Sequence, residues 1–384
     1  MSLIALDKYG EILSTNFDFV ELQWSRKYRE CGQFCLYMAA KDYPASMKYL
    51  QVDGRPETGI VQKVSYAKQP DGDFVTLEGF FLEKLADGGA YVFAVDMGFG
   101  GNARNSIESY LSWTLGKPHV TTDSQYNVYS WSINSASTFP SSLTANVEQG
   151  TPAGKALYNV LSTDNRSYYC KPIFNPDKST ESTKPLIGLD FVFYKGVDRR
   201  EDIYFGNAFK DVENIEYILD ESAMVPLYHI LQEVPEANWN SSMMIYQWVA
   251  GAAKFYLEDW LKVDANRPSG MGFIYPEKVF LSQVNGVDLI PANEAKIRAQ
   301  MKQQATLDML SNYKVERIEC DVLQNRFYYL QDYDLGDVCS VVIDEIQQSF
   351  TARIIEVREV HAANKVDIQV VLGTPNKREY RKVG

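Results

Sequence analysis

The sequence has no apolar run long enough to cross a bilayer as a helix, which takes about 18 residues or more. The nearest stretch, Met243 to Leu257, is broken by Gln247 and Lys254, so stable membrane insertion is not expected. The start, Met-Ser-Leu-Ile-Ala-Leu-Asp, lacks the basic and long apolar segments of a signal peptide. Histidine is scarce: His119, His229 and His361 show no His-Glu-x-x-His spacing and read as surface or core positions. The five cysteines (Cys31, Cys35, Cys170, Cys320, Cys339) are odd in number, and no second Cys/His pair stands at zinc spacing from Cys31 and Cys35. They read as small buried hydrophobes of a protein made in a reducing cytosol, where the sequons at Asn165 and Asn240 carry no weight.

Positive charge is also in short supply, with 38 Lys+Arg against 50 Asp+Glu and a net charge of −12. An acidic chain gains nothing from a phosphate backbone, and no Lys/Arg cluster interleaved with aromatics changes that, so specific nucleic-acid binding is not expected. Catalytic signatures are missing too. Arg267-Pro268-Ser269-Gly270 is not a nucleophile elbow, and Asp96 to Asn102, though Gly-rich, is followed by no Gly-Lys-Ser/Thr. The latter reads as a hinge between domains. Asp220-Glu221 and Asp332/Asp334 have the chemistry of glycosidase carboxylates, but the solvated-face reading is preferred for neighbours in sequence. No catalytic, cofactor-binding or metal-binding residue is assigned, and no cofactor is expected.

What is present is a folded chain of 384 residues, 45% hydrophobic, with 25 Tyr and 19 Phe that favour pleated, half-buried surfaces. That length calls for two to four domains. Alternation marks strands at Phe19–Trp24, Gln33–Met38, Ile60–Tyr66 and Phe74–Gly79, the last two joined by a turn at Pro70–Asp73. Further strands are expected at Pro185–Lys195, Asn214–Ser222, Cys339–Ile346, Phe350–Glu359 and Val366–Leu372, with turns at Gln347–Phe350 and Asn364–Lys365. Helices are expected at Ala103–Leu115, Ala153–Ser162 and Ala292–Leu310, the last with a stripe at Ile297, Met301 and Ala305. The spacing of Ile245, Trp248, Ala252 and Phe255 points to one more helix over Met243–Leu261.

Two groups of residues at opposite ends carry a resemblance. Near the C-terminus stand Leu335-Gly336-Asp337, the run Arg353-Ile-Ile-Glu-Val357 and a last strand ending in Gly373. Near the N-terminus stand Trp24-Ser-Arg-Lys-Tyr28, Gly32-x-Phe34, Gly59-Ile-Val61 and Glu78-Gly79-Phe80, in that order. Together they resemble the siphophage tail-hub or baseplate-hub family, the proteins that cap the tail tube of long, non-contractile-tailed phages. A charged turn at Gly196–Asp202 before a Phe/Gly/Asn patch is similar to the middle of that family.

The resemblance implies an α+β fold, mainly antiparallel β, with two small tail-tube-like β-barrel domains and α/β inserted domains. Residues 1–95 would form the first barrel and 96–184 an α/β middle domain. Residues 185–235 plus 313–384 would form a discontinuous second barrel, with 236–312 a helical insertion. It implies a non-enzymatic virion protein at the tail tip, made in the bacterial cytoplasm and assembled as a homotrimer. Its implied partners are the tail tube or distal tail protein, the tape-measure protein and receptor-binding or fibre proteins, with DNA passing through its channel unread. Two other classes stay open: a carbohydrate- or receptor-binding tail module, and a tail-associated cell-wall hydrolase.

Overall fold

The computed structural model describes residues 2–70, 72–87, 97–99, 102–115, 130–143, 145–147, 150–177, 185–235, 239, 244–249, 252–264, 267–268, 276–284, 286–311, 315–362 and 365–378. His119, Asn240, Ser269 and Asn364 lie outside these residues, as do Asp96, Gly100 and Gly101 of the Gly-rich segment before Ala103.

The N-terminal block supplies β1 (Leu3–Leu6), β2 (Ile12–Thr15), β3 (Glu21–Lys27), β4 (Gln33–Ala39), β5 (Tyr49–Val52), β6 (Thr58–Gln69) and β7 (Gly72–Phe81). Next come β8 (Met97–Phe99), α1 (Ala103–Thr114), β9 (Ser130–Ile133), β10 (Ala145–Val147), α2 (Ala153–Ser162), β11 (Ser167–Phe174) and β12 (Leu186–Tyr194). Two further strands follow, β13 (Tyr204–Gly206) and β14 (Val212–Asp220). The next group is β15 (Leu227–Val234), β16 (Met244–Val249), β17 (Ala252–Lys262), β18 (Glu277–Leu281) and α3 (Glu294–Ser311). The chain finishes with β19 (Val315–Val322), β20 (Val338–Ile343), β21 (Gln348–Ala362) and β22 (Lys365–Arg378).

The expected strands and three of the expected helices are present. The helix expected over Met243–Leu261 is not: this stretch forms β16 and β17, paired antiparallel from Met244↔Leu257 to Val249↔Ala252. Aromatic and branched residues there satisfy a three-to-four spacing and an alternation at once, and the neighbouring β15 offers β17 eight antiparallel partners. Pairing with that strand outweighs the helical reading.

Contacts divide the chain into one unit of residues 1–216 and 318–384 and a second of 217–317. In the second unit four strands run in the order β16-β17-β15-β18. Tyr228, Ile230 and Leu257 pack with Ile297, Met301, Ala305 and Met309 of α3, so the stripe seen in sequence is the buried face of that helix. Residues 236–312, expected as an insertion, fall within this unit.

The first unit is organised on a 13-stranded sheet whose main order is β14-β19-β22-β21-β3-β4-β7-β6-β5-β1-β2. The join that matters is β21 with β3, antiparallel from Glu356↔Lys27 to Ala362↔Glu21, which makes the two ends of the chain neighbours. Pairing is mostly antiparallel, and no closed barrel occurs among the described residues. One core gathers Leu22, Trp24, Phe34, Leu36, Met38, Leu77 and Phe81 on one side of this sheet. A second holds α1 and α2 against β11 and β12 through Ile107, Leu111, Leu157, Leu161, Tyr168 and Phe191.

Candidate functional site

In the run of eight strands from β14 to β6, alternation gives the central β21, β3, β4 and β7 a buried side and a more open one, which carries Tyr37, Phe74 and Phe80 beside its polar residues. In β3, Leu22, Trp24 and Arg26 are buried, whereas Glu21, Gln23, Ser25 and Lys27 turn the other way. In β21, Val357, Glu359 and His361 are buried, and Glu356, Arg358 and Val360 continue the polar side. Lys63 pairs with Glu78, Arg358 with Gln369 and Val360 with Asp367 in strand register, so these residues share that side.

The polar side is laced together by its own charges. The Ser25 hydroxyl donates to Glu356 at 2.9 Å, and Arg358 donates to Glu356 and Gln369, both at 2.8 Å. Glu319 lies 3.7 Å from the same guanidinium. Lys63 meets Glu78 at 2.9 Å, Lys365 meets Asp367 at 2.7 Å, and Lys27 meets Glu30 at 2.7 Å. Asn214 donates to Asp321 at 2.6 Å. Partial burial pushes the Glu356 carboxyl up, but hydrogen bonds from Arg358 and Ser25 outweigh it and hold it below the usual carboxylate range. A cleft of about 640 Å³ opens here, lined by Gln23, Ser25, Asp321, Glu356, Arg358 and Asp367 among others. Lys27, Lys63, Arg358 and Lys365 each have a carboxylate partner, while exposed Glu213 adds further negative charge. Such a surface is hydrophilic yet offers polyanions little to hold.

Behind it lies a buried polar joint. Arg26 donates to Glu57 at 2.8 Å and to Asp334 and the Tyr329 hydroxyl at 2.6 Å. Burial disfavours its charge, but Glu57, Tyr329 and Asp334 outweigh that and hold its pKa well above the usual arginine value. Beside it Arg55 and His361 both bond Glu359. Burial raises that carboxyl, and the hydrogen bonds from His361 and Arg55 outweigh it and bring its pKa below normal.

The residue groups that carried the family resemblance meet here. Gly336, at φ +93°, lies under Tyr28, and a Cβ on it would come 2.3 Å from that ring. A Cβ on Gly79 would stand 1.8 Å from the Ile60 carbonyl, so only glycine lets β6 and β7 approach as they do. Asp337 accepts from the Val197 amide at 2.7 Å and from Arg199 at 2.9 Å, which ties the Leu-Gly-Asp turn to the charged turn after β12.

Other residues weighed from sequence do not converge. His361 belongs to the buried joint, whereas His229, in the second unit, stacks on Trp260 at 4.1 Å and meets Glu258 at 2.6 Å. Cys31 packs 3.9 Å from Glu83, whereas Cys35 points to the polar side of β4. Asp332 caps the Tyr328 amide while Asp334 meets Arg26, so this carboxylate pair is split between two structural tasks. Among the described residues no group of three or more His, Cys, Asp or Glu side chains could hold a metal ion. Sequence reasoning passed over Arg26, Glu57, Arg55 and Tyr329. One signal was available: Arg26 stands in phase with apolar Leu22 and Trp24, a position where a charge needs a buried partner.

Comparison with curated proteins returned no match. The structure is similar to the tail protein from Neisseria meningitidis MC58, with TM-score 0.54 and 11% identity over 97% of this chain and 96% of that one. It is equally similar to the 43 kDa tail protein of prophage MuSo2 from Shewanella oneidensis, with TM-score 0.54 and 10% identity over 97% of each chain. Identities this low speak for the shared fold alone. The model of the siphovirus ReqiPepy6 Gp37-like family matches residues 6–374, nearly the whole length, and the chain therefore belongs to that family of siphovirus proteins.

Proposed function

We propose that this chain is a structural protein of a phage tail, a hub or baseplate component at the tail tip that joins the tail tube to the receptor-binding or lytic apparatus. In this reading the N-terminal and C-terminal blocks act as two tail-tube-like, barrel-related halves. Three copies set them in a ring that matches the tube, with the tube or distal tail protein and the tape-measure protein as neighbours. The work is geometric, not catalytic. The observation that carries the proposal is the eight-strand run with the paired charges on its open side, in a family member whose length matches the fold of tail proteins. Turned inward, that side would line a channel whose cations are already matched by carboxylates, and like-charge repulsion would keep exiting DNA moving.

Cryo-electron microscopy of tails produced with the tagged chain tests this reading. Density for a ring of this fold between the tube and the tip supports it. Absence of the chain from purified tails overturns it, as does clearing of cell-wall substrate by the purified chain.

A further inference from the structure

The sheet of the second unit has one side covered by a helix and another that is partly open. Tyr228, Ile230 and Leu257 pack with α3, so the alternating residues His229, Glu258, Trp260 and Lys262 face away from it. Parallel pairing of β15 with β18 sets Glu277, Val279 and Leu281 on that same side, opposite Leu227, His229 and Leu231. Leu231 and Tyr256 are buried there, which bounds the open ground. Within it stand Trp260, 39% exposed, Val279, 57%, and Leu281, 65%.

Trp260 and His229 are partners in strand register, and their rings stack 4.1 Å apart and 1° from parallel. Two carboxylates hold the imidazole, Glu258 at 2.6 Å from Nε2 and Glu277 at 3.7 Å from Nδ1. One face of the indole is thus backed by a fixed ring. Beyond its other face the described part of β16 ends at Met244, opposite Leu257 and short of Trp260. Among the described residues the indole N–H has no hydrogen-bond partner, and Glu277 makes no closer polar contact than the one to His229.

An aromatic ring offers a negative face to C–H groups, and carboxylates can only accept hydrogen bonds. An apolar peptide laid here would desolvate Glu258 and Glu277 without giving them donors. A sugar supplies both a C–H face and hydroxyl donors. We infer that this side of the second unit binds a neutral oligosaccharide. One pyranose ring stacks on the open face of Trp260, between Glu258 as acceptor and Lys262 as donor. The saccharide then crosses the stacked pair towards Glu277, Val279 and Leu281, a span of about 14 Å for three strand spacings, which is more than one ring. Uronic and sialic acids are excluded by the two carboxylates. The site goes beyond the tail reading, adding glycan recognition to a subunit whose own work is geometric.

The test is calorimetric titration of the full chain with the trisaccharides of glucose, galactose and N-acetylglucosamine, with each parent monosaccharide and with trigalacturonic acid. At least one neutral trisaccharide is expected to bind, more tightly than its monosaccharide, and trigalacturonic acid is not. Trp260→Ala should weaken binding by about 10-fold or more, and Glu277→Gln severalfold, with melting curves confirming that both variants fold. Trp113→Ala removes a comparably exposed tryptophan from α1 and should leave binding unchanged. No binding of any neutral trisaccharide at about 10 mM, weaker than the mM affinity of even a poor site, would overturn the inference. So would a folded Trp260→Ala variant that binds like the native chain, or preference for the anionic sugar. The tail assignment falls separately, if the chain is absent from purified tails.

Discussion

Replacing Arg26 by alanine should be among the most damaging single changes in the first unit. The side chain is 2% exposed and bonds a carboxylate that is itself 6% exposed. Its removal leaves Glu57 facing a low-dielectric interior and strips the Tyr329 hydroxyl and Asp334 of their donor. One Glu57 oxygen has no hydrogen-bond partner among the described residues, so little remains there to absorb the loss. Breaking a buried pair from one side costs roughly 3–5 kcal/mol, because the surviving charge stays buried and uncompensated. Arg26→Lys keeps the charge but reaches fewer acceptors and should cost about half as much. Arg26→Met with Glu57→Leu removes both charges and should recover most of the loss. Urea denaturation combined with hydrogen exchange at the β3 and β21 amides would measure this, and exchange matters because a chain of two units need not unfold in one step. A loss under about 1 kcal/mol for Arg26→Ala, or a double variant no better than the single one, would refute the claim that Arg26 and Glu57 form a buried pair in which each charge needs the other.

Three other outcomes are expected. Burial pushes the Glu83 carboxyl up from 4.5 to about 8, although the Cys170 amide donates to it. The folded state therefore holds a proton the unfolded chain releases, so this contribution is intact below pH 4.5 and is lost as pH rises to about 8. Glu83→Gln should flatten the fall in melting temperature with pH, with a gain on the order of 3–5 kcal/mol at the alkaline end; identical profiles would count against it. Gly336→Ala forces a Cβ to 2.3 Å from the Tyr28 ring at a left-handed φ, and should destabilise by about 2–4 kcal/mol in denaturant titration. Glu356→Lys with Glu319→Lys strips Arg358 of its carboxylates and adds two cations, so the variant should retard DNA in a low-salt gel shift where the native chain does not.

Much of the strand pattern was legible because alternation is a local property. Gln33–Met38 and Phe74–Gly79 could be read without knowing what they pair with, and the stripe of α3 likewise. The stretch from Met244 to Lys262 was misread because its apolar residues fit two periodicities, and only β15, distant from β17 in sequence, decides between them. The buried joint was invisible for a related reason. Arg26 and Tyr329 stand 303 positions apart, and the phase of Arg26 with Leu22 and Trp24 says that it needs a buried partner without saying which.

By itself the sequence determined the sign of the charge, the class of fold, the alternating strands and the family features at both ends, since each depends on neighbouring residues or short spacings. Tertiary structure alone decided that β3 lies against β21, and that Gly336 sits under Tyr28. It also decided that polar residues of β3, β19, β21 and β22 meet on one side of the sheet. Strand pairing over hundreds of residues is chosen by which edges and apolar sides satisfy one another, and that selection exists only once the chain has closed on itself.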